Sequence, residues 1–269
     1  MIILTRVFCY FFLLSVWFLG LSAASQVPLP NAHAHNDYEH PRPLLDALDQ
    51  GFCSVEADIH LFEDQLLVAH NRKDLKPERT LQALYLDPLL ERSRRNLGRV
   101  YPGGPEFTLL IDIKTEGEET YRALSKVLLG YREMLTGTPT PGKFTRRAVS
   151  VIISGNRATE IIAADNPRWA GIDGRIDDLE TIMSPELMPL ISDRWNKHFQ
   201  WTGEGPFPKA EKLKLKNLVE KTHQSGRRFR LWAIPDKEVA WRELHAAGVD
   251  LINTDDLVGL ASFLNSVDR

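Results

Sequence analysis

The chain has 269 residues, of which 43% are hydrophobic and 26% charged, an ordinary globular composition that excludes a collagen-like, low-complexity or wholly disordered protein. Thirty-three Lys and Arg against 36 Asp and Glu give a formal net charge of -3, so no global electrostatic attraction to nucleic acid or anionic lipid exists. Length alone is compatible with one large domain or two small ones.

Residues 1–24 begin with a single charge, Arg6, continue in an unbroken apolar run over 7–21 and end in the small residues Ser22, Ala23 and Ala24. That order matches a secretory signal peptide cleaved after Ala24, with an uncleaved membrane anchor as the competing reading. The expected organisation is therefore a signal over 1–24, one domain over 25–269, and a secreted or periplasmic protein. The two cysteines are Cys9 and Cys53. Cleavage removes Cys9, and Cys53 is left as a buried small hydrophobe with no partner for a disulfide.

Beyond the signal, short β-branched runs alternate with amphipathic stretches. Strands are expected at 27–34, 54–62, 66–69, 107–114, 148–154, 169–173, 188–192, 228–234 and 250–253. Helices are expected at 44–50, 80–95, 118–135, 157–164, Lys209–Gln224, Glu238–Ala247 and Leu257–Val267, with Gly248 stopping the penultimate one. The turn-rich stretch 136–143 reads as a surface connection. Strands alternating with helices predict a parallel sheet, and about eight such units in this length predict an α/β fold, a single (β/α)8 TIM barrel. A doubly wound sheet competes, but no G-x-G-x-x-G follows the first strand.

In such a barrel, chemistry sits where strands end. The first strand ends in His33-Ala34-His35-Asn36-Asp37, the second carries Glu56-Ala57-Asp58, the next short one ends in His70, and a further one carries Asp112-Ile113-Lys114. Residues i and i+2 on a strand share a face, so Glu56 and Asp58 point together, as do Asp112 and Lys114. Three carboxylates inside a barrel repel unless a cation or protons neutralise them, and oxygen donors suit Mg²⁺ or Ca²⁺. Asn36 adds a fourth oxygen. His35 and His70 flank the set as general acid and base. Trp232, at a later strand edge, reads as a substrate wall or as core. Tyr38, Trp195, Phe199 and Trp201 complete an expected aromatic rim suited to a sugar or lipid headgroup.

These residues resemble the phosphatidylinositol phospholipase C-like phosphodiesterases, which include glycerophosphodiester phosphodiesterases and sphingomyelinase D enzymes. His35-Asn36-Asp37-Tyr38 resembles the phospholipase C segment His-Asn-Thr-Tyr. Glu56-Ala57-Asp58 resembles the shared Glu-x-Asp metal pair, and Val68-Ala69-His70-Asn71 the second catalytic histidine. Asp112-Ile113-Lys114-Thr115 is closest to the sphingomyelinase D form, while Thr80-Leu81-Gln82-Ala83-Leu84 and 248–255 resemble glycerophosphodiesterases. The His-Arg-Gly opening, the Pro-Glu-Asn-Thr motif and the long insertion of the glycerophosphodiesterases are absent, which points to a separate branch resembling the altered-inheritance-of-mitochondria protein group.

The resemblance implies a metal-dependent phosphoric diester hydrolase with His35 and His70 as catalytic residues. Asn36, Glu56, Asp58 and Asp112 would be the metal ligands, with Lys114 and Trp232 binding substrate. In the family a substrate hydroxyl attacks phosphorus to form a cyclic phosphate. The expected partner is a small-molecule or lipid-headgroup phosphodiester, with transient contact at a membrane surface and no nucleic acid. Two rivals stand beside this reading. His33-x-His35 with Asp255 is the H-x-H of a zinc amidohydrolase, since zinc prefers nitrogen; and the same barrel also suits an inactive binding module.

Overall fold

The computed structural model describes residues 26–267, so the signal expected over 1–24 lies outside the described residues. The strands are β1 (Leu29–Ala34), β2 (Phe52–Phe62), β3 (Gln65–Val68), β4 (Phe107–Ile113), β5 (Gly137–Thr140), β6 (Lys143–Thr145), β7 (Val149–Gly155), β8 (Gly171–Gly174), β9 (Leu190–Arg194), β10 (Arg228–Trp232) and β11 (Leu251–Thr254). The helices are α1 (Leu45–Asp49), α2 (Asp87–Arg95), α3 (Gly117–Gly130), α4 (Thr159–Ala164), α5 (Trp195–His198), α6 (Lys209–Gln224), α7 (Glu238–Ala247) and α8 (Leu257–Val267). Among these helices none is long and apolar enough to cross a membrane.

Eight strands pair in parallel in the order β1, β2, β4, β7, β8, β9, β10, β11. The last returns to the first, with His33 opposite Asn253 and Ala34 opposite Thr254, so the sheet closes into a (β/α)8 barrel. Alternation builds it. Along β2, Cys53, Val55, Ala57 and Ile59 join the large core beneath the helices. The intervening Ser54, Glu56 and Asp58 point to the axis, as a period of two requires. The same switch recurs in β4 and β7, whose Leu110 and Ile152 meet Leu190 and Leu251 in a separate apolar layer inside the barrel.

Two local devices matter for function. β2 runs past Asp58 and folds back on antiparallel β3, with Ile59 opposite Val68. Glu63 and Asp64 turn this hairpin at φ 47° and 61°, the left-handed pair that a two-residue loop demands. α7 ends at Gly248 with φ 82°, as its expected stop. Two expectations need correction. Residues 136–143 are not a plain connection but contribute to the antiparallel β5–β6 hairpin, because extended Gly137–Thr140 finds Lys143–Thr145 as a partner. The expected helix over 80–95 opens with a π-helical turn at Gln82–Leu86 before α2.

Candidate active site

The C-terminal ends of the barrel strands surround a cleft of about 200 Å³. His35, Asn36, Glu56, His70, Asp112, Lys114 and Trp232 all line it, so seven of the eight expected site residues open onto one space. The eighth, Asp58, is buried beneath them at 1% exposure.

One oxygen each from Glu56, Asp58 and Asp112 lies within 4.8 Å of the others. Asp58 is the hub. Its Oδ2 accepts from the Tyr38 hydroxyl at 2.6 Å and lies 2.9 Å from Lys114 Nζ and 3.0 Å from His70 Nδ1. Its Oδ1 is buried with no hydrogen-bond partner among the described residues. Burial and the Glu56 charge raise the Asp58 carboxyl above its ordinary range, and burial pushes Asp112 up to about 6. Burial disfavours the charged form of Lys114, but Asp58 and Asp112, the latter 3.2 Å away, raise it on balance. An orphaned buried carboxylate oxygen among hard oxygen donors fits a divalent cation, which would lower both raised carboxyls.

Glu56 differs. Burial favours its neutral form, yet Arg230 together with His33 and His35 outweighs that and holds the carboxyl well below the usual range. Arg230 donates to Glu56 Oε2 at 3.0 Å and to Asn253 Oδ1 at 2.8 Å, and is 2% exposed.

The two imidazoles are held alike. Asp58 accepts from His70 Nδ1, and Asp255 Oδ1 lies 2.9 Å from His35 Nδ1. An Nδ1 proton directed at each carboxylate leaves Nε2 as the basic nitrogen, and Asn36 Nδ2 also lies 2.9 Å from His35 Nδ1. His35 Nε2 lies 3.9 Å from Glu56 Oε2. Burial lowers the His35 imidazole, but the Asp255 bond and the Glu56 charge outweigh it and the net shift is upward. The β2–β3 hairpin brings His70 back to this rim, with Ala69 N bonded to the Asp58 carbonyl at 3.2 Å. Asn36, left-handed at φ 48°, turns the chain after β1, and its Oδ1 is 2.8 Å from the Tyr38 hydroxyl.

The far wall carries Arg175, Ser154 and Trp232. Fully buried Asp173 accepts from Ser154 and Ser192 at 2.8 and 2.7 Å and pairs with Arg175 at 2.8 Å. Arg194 stacks over Trp232 at 5.4 Å.

The expected aromatic rim is reduced to Trp232. Tyr38, Trp195, Phe199 and Trp201 are 3%, 4%, 2% and 7% exposed. Trp195, Phe199 and Trp201 pack with Phe207 as a core cluster, the two stacked rings of Trp195 and Phe199 being 4.3 Å apart. Aromatic area buried among aromatic neighbours outweighs display at the rim. His33 lies wholly inside the barrel, with Nδ1 2.7 Å from Ser54 Oγ. Burial pushes its imidazole down to about 3, and no metal-type cluster of the described residues includes it. Arg230, the Tyr38 bond to Asp58 and the pairing of Asp255 with His35 were not anticipated. Arg230 had a signal, since it stands two residues before Trp232 on one strand and so shares its face.

Gly155, at φ 69°, ends β7 where a Cβ would stand 2.2 Å from Asp112 Oδ1 and 2.5 Å from the Ile113 carbonyl. Gly155→Ala is expected to destabilise the barrel by at least ~1–2 kcal/mol from the left-handed backbone alone. It should also weaken metal binding by displacing Asp112. Wild-type metal affinity in a folded Gly155→Ala protein, measured by calorimetry, would contradict this placement.

Comparison with known proteins agrees with this geometry. Residues 22–170 match the AIM6-like phosphodiesterase domain, and residues 228–257 match the glycerophosphoryl diester phosphodiesterase family. An altered inheritance of mitochondria protein 6 homolog from Arthroderma benhamiae is 28% identical over 264 residues, covering 86% of this chain and 82% of the relative. Altered inheritance of mitochondria protein 6 from Eremothecium gossypii is 29% identical over 283 residues, covering 87% and 69%. Among solved structures, a glycerophosphodiester phosphodiesterase from Parabacteroides distasonis has the same fold at 15% identity and TM-score 0.53, covering 89% of this chain and 99% of that one. A glycerophosphodiester phosphodiesterase from Agrobacterium tumefaciens gives 15% identity and TM-score 0.52, covering 88% and 100%. The closed barrel, the carboxylate cluster at its mouth and a family match spanning more than half the residues agree: the chain belongs to the AIM6-like phosphodiesterase family.

Proposed function

We propose that this protein is a metal-dependent phosphoric diester hydrolase that acts on a glycerophosphodiester- or phospholipid-type substrate with His35 and His70 as general acid and base. The observation that carries the reading is one cleft in which two imidazoles, each tied through Nδ1 to an aspartate, stand over the Glu56–Asp58–Asp112 cluster. Those carboxylates, with Asn36 beside them, would hold Mg²⁺ or Ca²⁺. When bound, such an ion supplies positive charge that neutralises the anionic diester and stabilises charge developing at phosphorus.

The chain's own groups do the rest. Lys114, between Asp58 and Asp112, adds a second positive group for the phosphoryl oxygens. Trp232 and Arg175 form the wall against which the leaving group or headgroup lies. A hydroxyl of the substrate attacks phosphorus and a cyclic phosphate forms, which water then opens. One histidine takes the hydroxyl proton at Nε2, and the other donates a proton from Nε2 to the leaving oxygen. Buried Asp58 keeps the His70 ring in register, and Asp255 does the same for His35. The reading includes a secreted or periplasmic location, which rests on the sequence of residues 1–24. The H-x-H zinc alternative has less support, because the metal-type cluster among the described residues is the carboxylate set Glu56, Asp58 and Asp112, without His33.

A chromogenic phosphodiester assayed with and without chelator tests the reading. Chelation is expected to lower activity by more than about 10²-fold, with recovery on adding Mg²⁺ or Ca²⁺ but not in His70→Ala. Full activity in chelator removes the metal role, and stoichiometric zinc in the active protein favours the amidohydrolase reading.

A further inference from the structure

The other end of the barrel holds a second polar cavity, of about 100 Å³, enclosed by the N-terminal ends of the strands and the β5–β6 hairpin. Arg146, Arg168, Arg228, Ser150 and Glu106 line it. Glu106 is already committed, since Arg146 donates to its Oε2 at 3.1 Å and the Thr136 hydroxyl donates to its other oxygen. The other two arginines make no direct salt bridge, although Glu186 also lines the cavity and its charge acts on Arg168, as those of Glu106 and Asp250 act on Arg228. Arg168 is 9% exposed and donates only to the Ala170 and Glu186 carbonyls and the Thr138 hydroxyl, at 3.0, 3.3 and 3.2 Å. Arg228 makes one hydrogen bond, to Thr108 Oγ1 at 3.0 Å. Neither forms an ion pair among the described residues. Burial lowers both guanidinium groups from their ordinary range. Cationic groups withdrawn from water with no carboxylate in direct contact are costly, and the cost falls when an anion joins them.

We propose that this floor cavity is an oxyanion site that takes inorganic phosphate or the phosphate end of a small phosphomonoester. Guanidinium forks match the edges of a tetrahedral oxyanion with paired hydrogen bonds, and the Ser150 hydroxyl adds a donor. A volume of about 100 Å³ is enough for a phosphate. The site is distinct from the catalytic cleft, because the apolar layer of Leu110, Ile152, Leu190 and Leu251 lies between them, each at most 1% exposed. An anion here bridges the β5–β6 hairpin region, through Arg146 and Arg168, to β10 through Arg228.

Thermal melts of the full chain with phosphate, against chloride at equal ionic strength, test the assignment. About 10 mM phosphate is expected to raise Tm by about 3 °C in wild type and equally in Lys114→Met, but by under about 1 °C in Arg228→Gln. Arg228→Gln should cleave a chromogenic diester within about twofold of wild type, since the layer separates the two ends. No shift in wild type overturns the site, as does an equal shift in Arg228→Gln. A shift lost in Lys114→Met but kept in Arg228→Gln moves the ion to the cleft and also overturns it. If Arg228→Gln does not fold, Ser150→Val replaces it, because it removes the hydroxyl and narrows the cavity. Titration calorimetry should then show phosphate affinity weakened by at least about threefold, and unchanged affinity overturns the site.

Discussion

His70→Ala is expected to lower kcat for phosphodiester cleavage by ~10²–10⁴-fold, with Tm and metal content close to wild type. The physical ground is the division of labour around Asp58. The His70 side chain is 56% exposed, so its loss opens no core cavity. Asp58 keeps the Tyr38 hydroxyl and the Lys114 ammonium as partners, and its orphaned Oδ1 is untouched. His35→Ala should behave alike, since its Asp255 partner is 62% exposed and is rehydrated when the imidazole goes. A pair of substrates then separates the roles. With a good leaving group such as nitrophenolate, the general acid is hardly needed, so the variant lacking it recovers much of its rate, while the variant lacking the base does not. Equal losses on good and poor leaving groups for both variants would contradict the division into acid and base. A parallel fall in metal content would reassign the histidine to structure.

In metal-free protein, Arg230→Met is expected to cost about 3–5 kcal/mol of folding stability, because it leaves a buried carboxylate without its main counter-charge. Glu56 and Arg230 side chains are 8% and 3% exposed, so water does not replace the lost guanidinium easily. Asn253 loses its donor in the same change. Glu56→Gln combined with Arg230→Met should recover part of the loss, since the double change removes the unpaired charge rather than creating it. Denaturant melts of the two single variants and the double variant complete the cycle. A cost below about 1 kcal/mol for Arg230→Met would mean that Glu56 is solvated or neutral, contrary to a carboxyl held down by Arg230.

Much of the fold was legible because barrel strands carry their own address. In β2 the apolar outward set Cys53, Val55, Ala57, Ile59 alternates with Ser54, Glu56, Asp58, and a period of two survives any tertiary detail. The helices α6, α7 and α8 fell where periodicity and Gly248 put them. The β5–β6 hairpin was missed because its Gly, Thr and Pro content reads as turn, and only a partner segment makes Gly137–Thr140 a strand.

The candidate site divides in the same way. Residue type, strand-end position and i, i+2 spacing are local, so His35, Glu56, Asp58, His70, Asp112 and Lys114 stood out as candidates from the chain alone, and the structure places five of them in the cleft and Asp58 directly below it. Charge compensation is not local. Arg230 reaches Glu56 across 174 residues and Asp255 reaches His35 across 220, and both distances collapse only when β11 closes on β1. Display is not local either. Trp195, Phe199 and Trp201 follow β9 as a rim would, but Phe207 gives them a buried surface to cover, and they turn inward. The sequence by itself therefore determined the barrel and the acid, histidine and lysine inventory of its mouth, because periodicity and strand-end position are written residue by residue. Tertiary structure alone decided which charge answers which, which aromatic lines the cleft, and that a second, arginine-lined cavity lies beneath the apolar layer. Those depend on distances between segments that meet only when the sheet is closed.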